Sequence, residues 1–261
     1  MRSARHLDLK PVAASIPAHA SRTEVQNPYS TRPNWFYPTA VFVAFAAFIL
    51  YATYVVLFET SGRFHSYLSP FFSPDIGLVT LGPITVPPAI WVAWAPLAFR
   101  LTCYYYRKAY GRGFLWHPRA CAIPEPSRGR YEGETRFWIF NNLHRFALYA
   151  ILIQTLFLWY DVFAAFVWNG APHLGIGNLI MIVNVICLTG YTLGCHALRN
   201  LVGGGVDCFS CHQTRYQLWK GVTVLNVRHE FWAWISMFTV WGTDVYIRLG
   251  VHGLLGSAGW L

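Results

Sequence analysis

The side chains best suited to chemistry in this 261-residue chain are cysteines and histidines. Cys208-Phe-Ser-Cys211-His212 sets two thiols three positions apart. That gap lets both thiolates face one ion, as in zinc and iron–sulfur sites. The same string reads as a c-type haem attachment motif. Covalent haem attachment takes place outside the cytoplasmic membrane, whereas the charge pattern below puts this loop inside. Cys195-His196 lies upstream, and Gly203-Gly204-Gly205 between the two can fold them together. His144 and His229 fall near the ends of other apolar runs. Two thiolates with two imidazoles form the ligand set of a Rieske-type [2Fe–2S] centre. The same histidines could hold haem b, with His144 opposite His196 or His229. The paired cysteines could equally bind structural zinc or remain two free thiols.

Composition identifies what must position these groups. Apolar residues make up 55% and charged residues only 12%, against roughly 25% charged in soluble domains. Trp and Tyr are abundant, as at membrane–water interfaces. Apolar runs cover Trp35 to Phe58, Ile84 to Tyr106, Phe137 to Trp168, Leu174 to Val202 and Val224 to Leu249. Each reaches the ~20 residues a helix needs to cross a bilayer, and lipid leaves the backbone no alternative to helix within such runs. The expected fold is therefore all-α, a polytopic bundle of about five transmembrane helices. Residues 1–33 would be a cytoplasmic tail, 34–250 the bundle and 251–261 a short outer tail. Of the 20 Lys and Arg, 17 lie before Trp35, between Arg100 and Arg136, or between Arg199 and Arg228. The positive-inside rule then puts the N-terminus in the cytoplasm and the C-terminus outside. The net charge of +9 follows from this loop bias, and no nucleic-acid partner is expected. A transporter or zinc-stabilised scaffold is the alternative class, but the chain shows no internal repeat and no matching pair of broken helices.

At the expected outer face, Asp161 lies near the end of the third run, and Asp244 and Arg248 share one face of the fifth at i, i+4 spacing. Asp244 and Arg248 read as an intrahelical ion pair, and the functional alternative is a proton path or a second quinone site.

Several strings resemble one family. They are Phe99-Arg-Leu-Thr-Cys-Tyr-Tyr-Tyr-Arg-Lys-Ala-Tyr110, Tyr131-Glu-Gly-Glu-Thr-Arg-Phe137, Asn142-Leu-His-Arg145, Cys195-His196 with Val202-Gly-Gly204, and Leu225 through His229 to Trp234. Together they are similar to the membrane-anchor subunit of actinobacterial, mycobacterial-type succinate dehydrogenase. The resemblance implies a multi-pass protein of the bacterial cytoplasmic (inner) membrane within a succinate:quinone oxidoreductase, not itself the site of succinate oxidation. It implies flavoprotein and iron–sulfur subunits on the cytoplasmic side, with a small extra membrane subunit and a higher oligomer compatible with the pattern. It also implies menaquinone or ubiquinone as electron acceptor, and an embedded Rieske-type cluster in place of haem b. On that basis Cys208 and Cys211 are expected on one iron and His196 and His229 on the other, with Cys195 and His144 as substitutes. The quinone is expected near Tyr104, Tyr105, Tyr106, His144, Arg145 and Trp232.

Overall fold

The computed structural model describes residues 36–77, 79–81, 84–107, 140–204, 206 and 208–255. The expectations for residues 1–33, Tyr131 to Phe137 and the last residues of the chain lie outside these.

Helix α1 (Phe36–Phe58) is apolar on all sides. It buries Phe45, Phe48 and Val55 and exposes Val43, Leu50 and Leu57, as a helix with bundle on one side and lipid on the other does. Helix α2 (Pro88–Thr102) opens on a proline, whose missing N–H costs nothing in a first turn. Helices α3 (Phe140–Ala164) and α4 (Ile176–Leu193) follow. Next come α5 (His196–Gly203), α6 (Gln213–Asn226) and α7 (His229–Val251). Three helices among the described residues are long and apolar enough to cross a membrane, over Thr39–Phe58, Asn142–Ala164 and Ile176–Leu193. α2 has only 15 residues, and α7 carries Glu230, Asp244 and Arg248.

Four boundaries differ from the sequence expectation. Residues 84–86 form a strand (Ile84–Val86), paired with Val79–Leu81, so the second helix starts only at Pro88. The third run ends as helix at Ala164, and Val167–Trp168 pairs with Ala171–Pro172 in a hairpin. Asn169-Gly170 at its tip adopts positive φ at both positions, the dipeptide and backbone that two-residue hairpins favour. The fourth run breaks at Gly194-Cys195 into α4 and α5. A Cβ on Gly194 would lie 2.7 Å from the Gly190 carbonyl oxygen and 3.2 Å from that of Leu225. The freed Gly194 carbonyl accepts from Asn226 Nδ2 at 2.8 Å. The fifth run is likewise divided, because Val227 and Arg228 turn the chain between α6 and α7.

Arg100, expected in a basic loop, is in the last turn of α2 and 4% exposed.

At the opposite end of the bundle from His144, the loop after α1 folds inward. It contains the hairpin Arg63–Phe64/Tyr67–Leu68 and a 3-10 turn, Pro70–Phe72, capped by Ser69. Asp244 on α7 is fully buried and holds this loop in place. It accepts from Tyr51 Oη at 2.5 Å, from the Ser69 hydroxyl, and from Arg248 Nε at 2.7 Å. Arg248 also pairs with Glu59 at 3.0 Å. The i, i+4 ion pair expected from the sequence is thus present, as the centre of a wider network. Breaking a buried pair by removing one partner costs about 3–5 kcal/mol. Asp244→Ala should therefore lower the thermal midpoint of the solubilised protein sharply, whereas Arg63→Ala, which loses an exposed pair with Asp75, should change it little. A scanning-fluorimetry comparison of the two variants checks this.

Candidate functional site

The helix breaks gather reactive groups at one end of the bundle. Cys103 directly follows α2, His144 lies in the second turn of α3, Cys195 is the second of the two residues between α4 and α5, and His229 begins α7. Their exposures are 1, 9, 0 and 2%, respectively. Cys103 and Cys195 are free, buried thiols. His144 Nε2 is 3.1 Å from Cys195 Sγ.

The tautomer of His144 follows from its other contacts. The Thr102 hydroxyl donates to the Ala98 carbonyl at 2.6 Å. Its oxygen is then the acceptor for His144 Nδ1–H, at 2.9 Å. That leaves the Nε2 lone pair facing Cys195. Burial pushes the Cys195 thiol up to about 12, offset only in part by the Ala197 and Leu198 N–H groups, so the thiol is its protonated self near neutral pH and donates to Nε2. An outer hydrogen bond that fixes the tautomer in this way is how proteins orient metal-binding imidazoles. His229 Nδ1 is buried with no hydrogen-bond partner.

Two aromatic rings cover the imidazoles. Phe99 stacks on His144 with centroids 4.4 Å apart and planes 9° apart. Tyr191 stacks on His229 at 5.2 Å and 11°. The two rings meet edge to face at 5.1 Å. Both residues also line a cavity of about 230 Å³, together with Phe48, Pro70, Phe71, Arg100 and Gln154. Its walls are almost wholly apolar. Gln154 Oε1 is buried without a hydrogen-bond partner, while Gln154 Nε2 donates to the Ser73 carbonyl at 3.2 Å.

The residues expected in the site are only partly brought together. Cys208 and Cys211 are joined in a disulfide on the turn before α6, and Cys211 is exposed. Among the described residues, no contact links either to His144, Cys195, His196 or His229. His196 is exposed, with its ring 5.5 Å from that of His229. Tyr105 borders the same pair, at 6.1 Å from His196 and 5.6 Å from His229. Tyr104 is exposed and Tyr106 fully buried. Arg145 donates to Asn200 at 3.2 Å. The Trp232 ring lies over Gly190, where a Cβ would come within 2.6 Å of it. None of these residues lines the cavity. Among the described residues, no group of three or more His, Cys, Asp or Glu side chains is placed to hold a metal ion.

The family model for the actinobacterial succinate dehydrogenase subunit SdhC matches residues 36–253. The chain belongs to that family. A chain of the Mycobacterium smegmatis Sdh1 complex in the apo form is similar in structure, with a TM-score of 0.73 and 38% identity over 86% of this chain and 90% of that one. No curated protein matches. The protein is thus a membrane subunit of a succinate dehydrogenase, as the sequence motifs implied. The transporter and scaffold alternatives are set aside by this membership.

Within this SdhC-family chain, sequence reasoning did not join Cys103 to the histidines, and it gave Arg100 and Gln154 no role. The available signal was position. Cys103 falls at the same end of its apolar run as His144, Cys195 and His229 do of theirs. Arg100 and Gln154 are strongly polar residues beside or within apolar runs, which are rare and usually functional. The thiol chemistry can be checked directly. Alkylation of the folded protein followed by mass spectrometry should leave Cys103, Cys187 and Cys195 unlabelled, and mild reductant should add label at Cys208 and Cys211 alone among the described cysteines.

Proposed function

We propose that this chain passes electrons from its partner subunits to quinone bound in the cavity. The partners are a flavoprotein that oxidises succinate and an iron–sulfur subunit docked at the end of the bundle that carries His144 and His229. In this reading that end is cytoplasmic, and α2 and α7 complete a five-span bundle. The observation that carries the proposal is the pair Phe99 and Tyr191. One face of each ring lies on a buried imidazole, and both rings line the cavity. Phe99 and Tyr191 are therefore shared between a buried layer of imidazoles and an apolar pocket. Pockets of this kind, mostly apolar with a few convergent polar groups, suit ring-bearing small molecules.

The donor chemistry fits a Rieske-type cluster better at this buried layer than at the exposed turn. Cys103 and Cys195 would supply two thiolates, and His144 and His229 two imidazoles. The support is the chemistry and burial of the set, its lone pair at His144 Nε2 and the orphaned His229 Nδ1, since no ready-made metal site is formed. Such a cluster would carry one electron at a time at a potential raised by its imidazole ligands. The protein's own part is to orient the ligands through Thr102, to exclude water, and to hold the quinone one ring away. Succinate gives up two electrons and two protons, and quinone takes up two of each to become quinol.

The ligand reading is tested in the purified complex. Cys103→Ser and His144→Ala should each abolish quinone reduction and the low-average-g paramagnetic signal of the dithionite-reduced sample, with succinate oxidation by a soluble dye retained. Cys208→Ser should keep both. A signal that survives Cys103→Ser and is lost in Cys208→Ser would move the site to the exposed turn. A haem b optical spectrum with no such signal would turn the histidines into haem ligands. Thr102→Val, which removes the acceptor for His144 Nδ1, should lower quinone reduction by about 10–100-fold, the usual cost of losing an outer-shell partner.

A further inference from the structure

Arg100 is a charge in an unusual place. It is 4% exposed, and every group it bonds is neutral. Its guanidinium donates to Tyr106 Oη, to the Ala233 carbonyl at 3.3 Å and to Ser236 Oγ at 3.2 Å. It lies 5.6, 5.5 and 5.0 Å from the ring centroids of Phe48, Tyr106 and Tyr191. Among the described residues no carboxylate pairs with it. Arg248, the other cation held inside the described bundle, has two carboxylates, Asp244 and Glu59. Neutral acceptors and ring faces hold Arg100 in position but leave its positive charge uncompensated. A buried cation without a counter-charge is a standing preference for an anion nearby. Arg100 also lines the cavity and shares Tyr191 with the imidazole layer.

We propose that Arg100 is the group that stabilises the singly reduced quinone in the cavity. This rests on the reading of the cavity as the quinone site. Iron–sulfur carriers deliver electrons singly, so quinone passes through a state carrying one extra electron and a negative charge. The electrons come from succinate through the partner subunits. The first converts neutral quinone to its radical anion, and the second, with two protons, gives quinol. Neutral quinone gains little from a nearby cation, whereas the anion gains a full charge–charge attraction. Arg100 thus favours the intermediate over the bound substrate, which is how a fixed charge accelerates a step rather than merely tightening binding. For unit charges about 5 Å apart at an effective dielectric near 20, the preference is well over tenfold.

The experiment is a redox titration of the intact, membrane-reconstituted complex, with the quinone radical followed by electron paramagnetic resonance and steady-state kinetics measured on the same samples. Arg100→Met and Arg100→Gln both remove the charge. The first replaces a buried charge by an apolar chain of similar length, a change that folds often tolerate, so either variant that assembles gives the answer. Expected is a drop of about tenfold or more in the maximal radical population and in kcat, with a much smaller change in KM. Arg100→Lys, which keeps the charge, should restore most of both. A purely structural role would shift the melting midpoint and leave the radical population of the assembled complex alone. Ala93→Trp, which fills the cavity, is the control for the underlying reading. If Ala93→Trp blocks quinone reduction while Arg100→Met and Arg100→Gln keep wild-type radical levels and kcat, the role given to Arg100 is overturned and the cavity remains the quinone site. If Ala93→Trp also leaves quinone reduction intact, quinone binds elsewhere and both readings fall.

Discussion

The Asp244 carboxylate is the contact on which the interior geometry depends. A fully buried carboxylate is costly unless it is paired and hydrogen-bonded, and this one gathers its donors from three separate parts of the chain. Tyr51 comes from α1, Ser69 from the loop after it, and Arg248 from α7 itself. Ser69 is also the cap of the turn Pro70–Phe72. Pro70 and Phe71, held by that cap, form one wall of the cavity. A polar requirement at one end of the bundle therefore shapes an apolar space in the middle. Arg248 connects the same network to Glu59 at the end of α1, so loop, first helix and last helix are fixed together.

The other end is organised by interruption. α4 stops at Leu193 and α6 at Asn226, and the side chain of Asn226 occupies the carbonyl that the first stop leaves free. Because the chain breaks there, Cys195 and His229 sit at helix junctions, beside Cys103 at the end of α2. Groups at helix ends can face one another across a bundle without displacing the packing between its helices. Cys195 is also the cap of α5, accepting from Ala197 N at 3.3 Å. Its thiol thus serves local structure and the buried layer together.

Much of this was legible in the sequence. The first apolar run was expected over Trp35 to Phe58 and forms a helix over Phe36–Phe58. The strings that carried the family resemblance lead to the family the chain belongs to. His144 and His229 were placed near helix ends, where they lie. What the sequence concealed were breaks inside apolar runs. Hydropathy cannot separate α4 from α5 when Gly194 is the only local sign, and the constraint on it comes from Leu225 across the junction. The strand Ile84–Val86 is hidden similarly, since it continues directly into the apolar helix that follows. The adjacent pair Cys208 and Cys211 drew attention because close spacing is visible in one dimension. The buried thiols Cys103 and Cys195 are 92 positions apart, and only the fold brings them together.

The distribution of polar groups around the cavity bears on how one pocket can serve a two-electron acceptor. A quinone needs little help to bind in its neutral form, since its ring and tail suit the apolar walls. Its reduced forms need charge compensation and protons. Arg100 lies on the side of the pocket nearest Tyr191 and the imidazoles. Gln154 is tied instead toward the opposite end, through the Ser73 carbonyl, and the Ser73 hydroxyl donates to Asp161. The pocket is thus asymmetric, with fixed positive charge on the side from which electrons would arrive and neutral hydrogen-bonding groups on the other. A symmetrical pocket would hold oxidised and reduced ring alike. Under the proposed reading this one would distinguish them by charge, with an arginine whose position is set by neutral partners and so does not depend on an anion being present.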